Sequence, residues 1–253
     1  MQKIIAANWK MFKTCPESKS VVSELNALLK DGCERKVIIF PPFTSIKIVA
    51  DEIGNLSNVS VGGQNFYPVK EGAFTGEISP LMLKDVGAKW VLIGHSERRH
   101  ILGESDDLVS KKVLFALEQG LNAMLCIGET LEERESNKLK VVLERQLKTA
   151  LESIPNNYKQ QLVNIFAVAY EPVWAIGTGK VAGPTEVVDA HFVIRNILKD
   201  ILGKEISDNL PILYGGSVKP DNAGTLLELD NVDGLLVGGA SLNAQSFVQI
   251  INA

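Results

Sequence analysis

The sequence has little of what would mark a secreted, membrane-spanning or nucleic-acid-binding protein. Only three cysteines occur in 253 residues, an odd and sparse number that fits a reducing compartment better than a disulfide framework. Lysine and arginine number 26 against 30 acidic residues, so no basic excess indicates binding to nucleic acid. No apolar run approaches the roughly 18 residues of a membrane-spanning helix, and no signal-peptide pattern opens the chain. We therefore expect a cytoplasmic protein that binds neither nucleic acid nor membrane.

The composition is that of a folded globular protein. Apolar residues make up 45% and charged residues 22% of the chain, which excludes a disordered, collagen-like or coiled-coil protein. No linker, low-complexity tract or change of composition divides the sequence. Because α/β barrels of about this length commonly form one domain, residues 1–253 are expected to do so.

Short apolar runs, rich in β-branched residues, alternate with segments of helical periodicity. The eight runs cover 3–9, 36–41, 59–64, 89–94, 121–127, 162–170, 210–214 and 233–237. Runs of this length suit strands that are buried on both faces of a parallel sheet. Eight alternating units in about 250 residues predict a single-domain α/β protein, a closed (β/α)8 barrel. An open, doubly wound sheet is the alternative, but it needs edge strands, and none of the eight runs is markedly polar.

The ends of the predicted strands carry the candidate chemistry, because such barrels place their catalytic residues there. Lys10 follows the first strand and is either a functional ammonium or a solvated surface charge. His95 follows the fourth strand, just before a possible helix start at Ser96, where the helix dipole would disfavour a protonated imidazole. A polar loop that merely contains a histidine is an equal alternative. Glu171 follows the sixth strand, where a carboxylate is costly to bury without a purpose.

The loops after the last three strands have the composition of a lid and a phosphate site. The segment 172–182 has apolar side chains in its middle and proline or glycine at its flanks, which is typical of a hinged lid, with a plain turn as the alternative. Glycine pairs at 215–216 and 238–239 follow strands seven and eight, where barrels frequently bind phosphate. Neither the P-loop nor the dinucleotide-binding glycine pattern is matched.

Metal and cofactor motifs are missing from the same strand ends. His95 and His100 do not have the spacing of a metal-binding pair on a helix, and no cysteine or carboxylate cluster completes a metal site. One carboxylate, one imidazole, one ammonium and a phosphate site suit proton transfer on a small phosphorylated carbonyl compound.

Seven blocks of the sequence, in order along the chain, closely resemble the triosephosphate isomerase family. They are 8–11, 72–77, 93–99, 126–130, 169–179, 214–218 and 237–241. The resemblance implies a TIM barrel without cofactor or metal. It also implies the interconversion of dihydroxyacetone phosphate and D-glyceraldehyde 3-phosphate through an enediolate, a step of glycolysis and gluconeogenesis.

The same resemblance implies roles for individual residues. Glu171 would be the base that moves the proton between two carbons, and His95 the neutral electrophile at the carbonyl oxygens. Lys10 would balance the charge of substrate and enediolate, and Asn8 would be an orienting donor. Glu97 would support Lys10 and the proton transfers.

Phosphate binding and a lid are implied as well. Besides Asn8 and Lys10, the implied phosphate ligands are the backbone N–H groups of Gly177, Ser217, Gly238 and Gly239. Trp174 and Ile176 are the implied lid residues, and the Trp174 indole is expected to reach Glu129 when the lid closes.

The resemblance further implies a homodimer, with the loop 64–79 inserted next to the partner's active site. Thr75 is expected at the tip of this loop, and the partner's loop at 10–11 is expected to receive it. The loop has more apolar side chains than a solvent-exposed loop usually carries. Its apolar members are Phe66, Tyr67, Val69, Ala73, Phe74 and Ile78.

Two other functions remain in view. A different phosphate-binding barrel enzyme, such as an aldolase or a synthase, would be favoured by a lysine deep in a later strand or by a second acidic base, and neither appears. A non-catalytic barrel would be favoured by loss of Lys10, His95 or Glu171, and all three are present.

Overall fold

A closed parallel barrel forms the centre of the molecule in the computed structural model, which describes residues 2–29, 33–54, 56–175 and 182–253. The strands within these ranges pair in sequence order, and the last pairs with the first. They are β1 Ile4–Asn8, β2 Lys36–Phe40, β3 Val59–Gly63, β4 Trp90–Ile93, β5 Asn122–Ile127, β6 Phe166–Tyr170, β7 Ile212–Tyr214 and β8 Gly234–Val237. The (β/α)8 barrel predicted from the sequence is confirmed.

Helices follow the strands and pack around the barrel. In the described ranges they are α1 Cys15–Leu28, α2 Ile46–Ile53, α3 Pro80–Asp85, α4 Ser96–His100, α5 Asp106–Glu118, α6 Leu131–Glu135, α7 Leu139–Leu151, α8 Asn156–Lys159, α9 Leu162–Ile165, α10 Pro184–Leu202, α11 Lys204–Asn209, α12 Ala223–Leu227 and α13 Ala244–Asn252. Short 3₁₀ turns lie after strands at Phe43–Ser45, Val173–Ala175 and Gly239–Leu242. Across this part of the chain, no helix combines the length and the apolar character that a membrane crossing requires.

The continuous apolar runs are explained by two cores, one on each face of the barrel wall. In β1, Ile4 and Ala6 belong to a cluster made only of strand residues, which fills the barrel interior. Ile5 and Ala7, the alternate residues, pack in the cluster that the surrounding helices share. Each fully buried large apolar side chain contributes about 1.5–3 kcal/mol to folding.

The sixth predicted strand is wrong at its start. The apolar run 162–170 divides into α9 and β6, and the strand begins only at Phe166. Leu162 is buried, but Asn164 is exposed and Ile165 only partly buried, so this stretch does not have two buried faces. Apolar content alone does not distinguish a short helical turn from a strand of this kind.

The barrel brings distant parts of the sequence to one mouth. β1 ends at Asn8, β4 at Ile93 and β6 at Tyr170. Because all strands run in the same direction, the residues that follow these ends meet at the same rim. Lys10 and His95 therefore lie at this rim, as Glu171 does.

Candidate active site

Lys10 stands at the mouth on a strained backbone. Its φ is +52°, in the left-handed region that non-glycine residues seldom occupy. Two hydrogen bonds hold this conformation: Lys10 N donates to Asn8 Oδ1 at 3.0 Å, and Gln64 Nε2 donates to Lys10 O at 2.8 Å. Gln64 Nε2 also donates to Phe40 O at 2.9 Å, which ties the lysine to the end of β2.

The Lys10 side chain extends across the mouth. Its Nζ lies 3.1 Å from Glu97 Oε1. A Cβ added to Gly238 would lie 3.7 Å from Lys10 Cε, so the lysine passes close over the loop after β8. The ammonium is thus placed between the fourth and the eighth strand ends.

His95 is the N-cap residue of α4, and its two ring nitrogens have different partners. Nδ1 accepts a hydrogen bond from Glu97 N at 3.3 Å. Nε2 lies 2.8 Å from Glu171 Oε1, to which it donates. These partners assign the tautomer with the proton on Nε2, the atom that points at the carboxylate.

Glu171 is a buried carboxylate whose two oxygens each accept a hydrogen bond. Its exposed fraction is 2%. Oε1 accepts from His95 Nε2, and Oε2 accepts from Ser96 N at 2.9 Å. The backbone is fixed as well, because Glu171 N donates to Ile127 O at 2.8 Å.

The shared contact moves the pKa values of the base and the imidazole in opposite directions. Burial raises the pKa of Glu171, but the charge and hydrogen bond of His95 and the Ser96 N–H together lower it below its ordinary value. Burial lowers the pKa of His95, but Glu171, with a smaller effect of Glu97, raises it above its ordinary value. The prediction that the pKa of His95 lies below its ordinary value is therefore wrong in this structure, because the effect of Glu171 and Glu97 exceeds that of burial.

Glycine at position 128 allows the base to sit where it does. A Cβ at Gly128 would lie only 1.7 Å from Glu171 O, well inside any possible contact. The loop after β7 also packs against the base, since a Cβ at Gly215 would lie 3.2 Å from Glu171 Cγ. Two strand ends thus close on Glu171 from either side.

The residues predicted for chemistry form one continuous line of polar contacts, from Asn8 through Lys10 and Glu97 to His95 and Glu171. Asn8, His95 and Glu171 are buried, with exposed fractions of 4%, 5% and 2%. Such an arrangement offers a base, a neutral N–H donor and an ammonium to a small molecule at the rim.

The predicted phosphate ligands are only partly described. Gly238 and Gly239 lie at the rim beside Lys10, where a 3₁₀ turn begins at Gly239. Ser217 lies in the turn after β7, and its carbonyl accepts a hydrogen bond from Asn222 Nδ2 at 3.0 Å. Gly177 lies outside the described residues, as does Ile176 of the predicted lid.

Trp174, at the start of the predicted lid, contacts a buried carboxylate. Its Nε1 donates to Glu129 Oε1 at 2.8 Å, and Tyr170 OH donates to the same oxygen at 3.0 Å. Arg134 Nη1 lies 3.5 Å from this oxygen, and its guanidinium lies 5.7 Å from the Trp174 ring centroid. Burial raises the pKa of Glu129 despite these donors.

The loop 64–79 divides into a buried base and an exposed tip. Phe66 is fully buried against Phe115 of the same chain, so it does not belong to the apolar surface that the sequence analysis expects this loop to offer to a partner. Tyr67 N donates to Ile78 O at 2.8 Å, which closes the loop. Phe74 is 41% exposed, and Thr75 beside it is exposed.

Sequence reasoning missed several residues that hold the site. Gln64 and Ser96 N are direct partners of Lys10 and Glu171. Gln64 comes directly after β3, so the rule that found the other residues at strand ends could have found it. The part played by Ser96 N depends on a contact between residues 75 positions apart, for which the sequence carries no signal.

Nowhere in the described ranges do three histidine, cysteine, aspartate or glutamate side chains form a group suited to a metal ion. The polar groups at the rim instead contact one another directly.

Comparison with known proteins gives one consistent family. Residues 3–253 match the family model described as "Triosephosphate isomerase". A protein of that name from Nitratidesulfovibrio vulgaris (strain DSM 19637 / Miyazaki F) is 55% identical over 255 aligned positions that cover 100% of both chains. Those from Lawsonia intracellularis and Fusobacterium nucleatum subsp. nucleatum are 52% and 46% identical, each over 98% of its own length and over 100% and 99% of this chain.

Proposed function

The chain belongs to the triosephosphate isomerase family and interconverts dihydroxyacetone phosphate and D-glyceraldehyde 3-phosphate, and we propose that Glu171, His95 and Lys10 perform this reaction. The observation that carries the assignment is the 2.8 Å contact between His95 Nε2 and Glu171 Oε1 in the buried mouth. It pairs a base with a proton donor at the end of two parallel strands.

The proton transfer begins at the Glu171 carboxylate. It removes a proton from the carbon next to the carbonyl, and the electron pair forms the carbon–carbon double bond of the enediolate. His95 Nε2–H donates to the oxygen that gains negative charge. Return of the proton to the neighbouring carbon, with exchange of the hydroxyl proton between the two oxygens at His95, completes the isomerisation.

Lys10 and Asn8 stabilise the same charge. The Lys10 ammonium lies at the rim beside the eighth strand end, where it faces both phosphate and enediolate. Asn8 holds the strained backbone of Lys10 through Oδ1 and leaves its amide N–H groups for the substrate. Glu97 keeps Lys10 in place through the 3.1 Å ion pair.

Substrate binding makes Glu171 a stronger base. In this structure His95 donates its Nε2 proton to Glu171, and a substrate carbonyl oxygen would take that donor instead. Loss of a donor removes one of the causes that lower the pKa of Glu171. The carboxylate therefore gains proton affinity only when the substrate is in place.

Phosphate binding and the lid complete the proposal. Backbone N–H groups of Gly177, Ser217, Gly238 and Gly239 bind the phosphate, which anchors the carbon chain between Glu171 and His95. Closure of the lid places Ile176 over the reacting carbons and excludes water. The proposed phosphate site is supported by the location of the two glycine-containing turns, which follow β7 and β8 at the rim.

A second copy of the chain is the proposed partner. Large apolar side chains are exposed in three segments, the loop at 10–11, the tip of the loop 64–79 and the end of α4. They are Met11 at 95%, Phe12 at 56%, Phe74 at 41%, Ile101 at 76% and Leu102 at 63%. Exposed large apolar side chains of this number are more typical of a protein interface than of a solvated surface. We propose a homodimer in which the loop 64–79 fits beside the partner's loop at 10–11.

The cysteine content of the sequence supports a cytoplasmic location for the enzyme. Three free cysteines, one of them the buried Cys126, fit the reducing cytoplasm. The proposed reaction uses protein groups alone and needs no cofactor or metal. We propose that residues 1–253 act as one barrel domain.

Solvent-proton exchange tests the assignment of the base. In deuterated water, the wild-type enzyme should isomerise triose phosphate and place deuterium on its carbon. Glu171→Gln should lose both activities because an amide cannot take the proton, whereas Glu118→Gln, at the exposed end of α5, should keep both. Full exchange by Glu171→Gln would show that another group is the base.

A further inference from the structure

Arg99 links the ends of β4, which precedes the imidazole, and of β5, which contacts the backbone of the base. Its side chain is 6% exposed. Nε donates to Gly94 O at 2.7 Å, and Nη2 donates to Cys126 O at 3.1 Å. Gly94 directly precedes His95, and Cys126 directly precedes Ile127, whose carbonyl accepts from Glu171 N.

The guanidinium lies where the pairing of β4 with β5 ends. Strands β4 and β5 pair from Trp90 with Asn122 as far as Ile93 with Leu125. Gly94, the next residue, turns away with φ of +69°. The carbonyls of Gly94 and Cys126, one residue beyond the last pair, are therefore linked through Arg99.

The surroundings of Arg99 fit this position closely. A Cβ at Gly94 would lie 2.8 Å from Arg99 Nη2, so the guanidinium occupies the space that glycine leaves. Nη1 donates to Asp106 Oδ1 at 2.6 Å, and this bond anchors the guanidinium at the start of α5. The other oxygen of Asp106 pairs with Arg145 of α7, whose side chain is 52% exposed.

We propose that Arg99, held by Asp106, is a positioning residue for the isomerisation: it fixes the spacing between His95 and Glu171 by joining β4 to β5 beyond their last paired residues. This inference rests on the proposed roles of His95 and Glu171. A planar fork with several N–H groups can bind two carbonyls and a carboxylate at once, which an ammonium cannot do in the same geometry.

Arg99→Lys tests the proposal, with Arg145→Lys as the matched control. The control alters the other partner of Asp106 without touching Gly94 or Cys126. We expect Arg99→Lys to lower kcat by about 10- to 100-fold, since misplacement of reacting groups by about 1 Å has effects of that size. KM should stay nearly unchanged, because the phosphate-binding turns after β7 and β8 are not altered. Arg145→Lys should match the wild type in both constants.

A second readout separates positioning from simple destabilisation. The ¹H–¹⁵N signal of His95 Nε2–H reports its hydrogen bond to Glu171, and it should shift in folded Arg99→Lys but not in Arg145→Lys. If Arg99→Lys does not fold, Asp106→Asn replaces it in both measurements. This substitution keeps the side-chain volume and weakens the interaction that holds the Arg99 guanidinium. A folded variant in which either kcat or the His95 signal is unchanged would overturn the proposal.

His95→Gln is measured alongside, so that the proposed role of His95 and the positioning role of Arg99 are tested separately. If His95→Gln has wild-type kcat, the proposed function of His95 is wrong, and the positioning role falls with it. If His95→Gln is impaired while Arg99→Lys is not, only the role of Arg99 is wrong.

Discussion

Glu171 remains ionised inside the protein because N–H donors replace the water that it loses. Its lowered pKa contributes stability above the pKa of an unfolded glutamate, and this contribution is lost as pH falls through the lowered value. The raised pKa of His95 acts in the opposite sense: its contribution is present below the ordinary histidine pKa and is lost as pH rises through the raised value. The pair is therefore most favourable to folding between these two limits.

Shortening the base should impair catalysis without affecting binding. Glu171→Asp withdraws the carboxylate by about 1 Å, which disturbs the alignment of the reacting atoms and should lower turnover on the order of 100-fold. The fold and KM should be preserved, because phosphate binding is unaffected. Steady-state kinetics and thermal melting check this, and equal turnover would remove Glu171 from the role of base.

The protonation of His95 can be read directly by ¹⁵N NMR. Although Glu171 raises the pKa of His95, we expect the neutral ring with its proton on Nε2 at pH 7, because Nδ1 accepts a hydrogen bond from Glu97 N that a protonated nitrogen could not accept. Glu171→Gln should lower the pKa of His95, since it removes the charge that raises it. A doubly protonated ring at pH 7 would contradict the assignment, and an unchanged pKa in the variant would show that Glu171 does not raise it.

At the scale of elements, the strand ends could be predicted and their mutual contacts could not. The common location of Lys10, His95 and Glu171 could be predicted because a parallel barrel must bring the ends of its strands to one rim. The helical turn of α9 was missed because four apolar residues carry too little periodicity. The roles of Ser96 N and Arg99 depend on backbone atoms that become neighbours only after folding.

Removing the proposed lid should change what the enzyme releases. Deleting Ile176, Gly177, Thr178 and Gly179 and rejoining the ends should leave the barrel folded, because surface loops tolerate shortening. Net isomerisation should fall by several orders of magnitude, while a growing share of turnovers yields inorganic phosphate and methylglyoxal from the unprotected enediolate.

Solvent-proton exchange should survive the deletion better than isomerisation does, since Glu171 remains. Isomer, phosphate and exchange are measured in one experiment. A loss of activity with no rise in the phosphate fraction would mean that the lid serves binding only.

At the scale of the whole molecule, we expect the proposed homodimer to complete the site. Removing the loop tip around Thr75 should yield a folded monomer with feeble activity, because the tip is the segment proposed to fit beside the partner's loop at 10–11. Native mass spectrometry and kinetics test this. Phe192→Ala on α10, where the side chain is 59% exposed, is the control and should leave mass and activity unchanged. A fully active deletion variant would show that the interface does not shape the site.

At position 10, the requirements of activity and of stability conflict. Activity needs the lysine side chain, whereas the left-handed backbone there favours glycine. A non-glycine residue held at φ of +52° carries strain of order 1–3 kcal/mol. Lys10→Gly would relieve that strain, so the variant should unfold at a temperature equal to or above that of the wild type while losing isomerisation. Random mutagenesis selected only for thermal resistance should therefore accept glycine here, and selection on triose phosphate turnover should restore lysine.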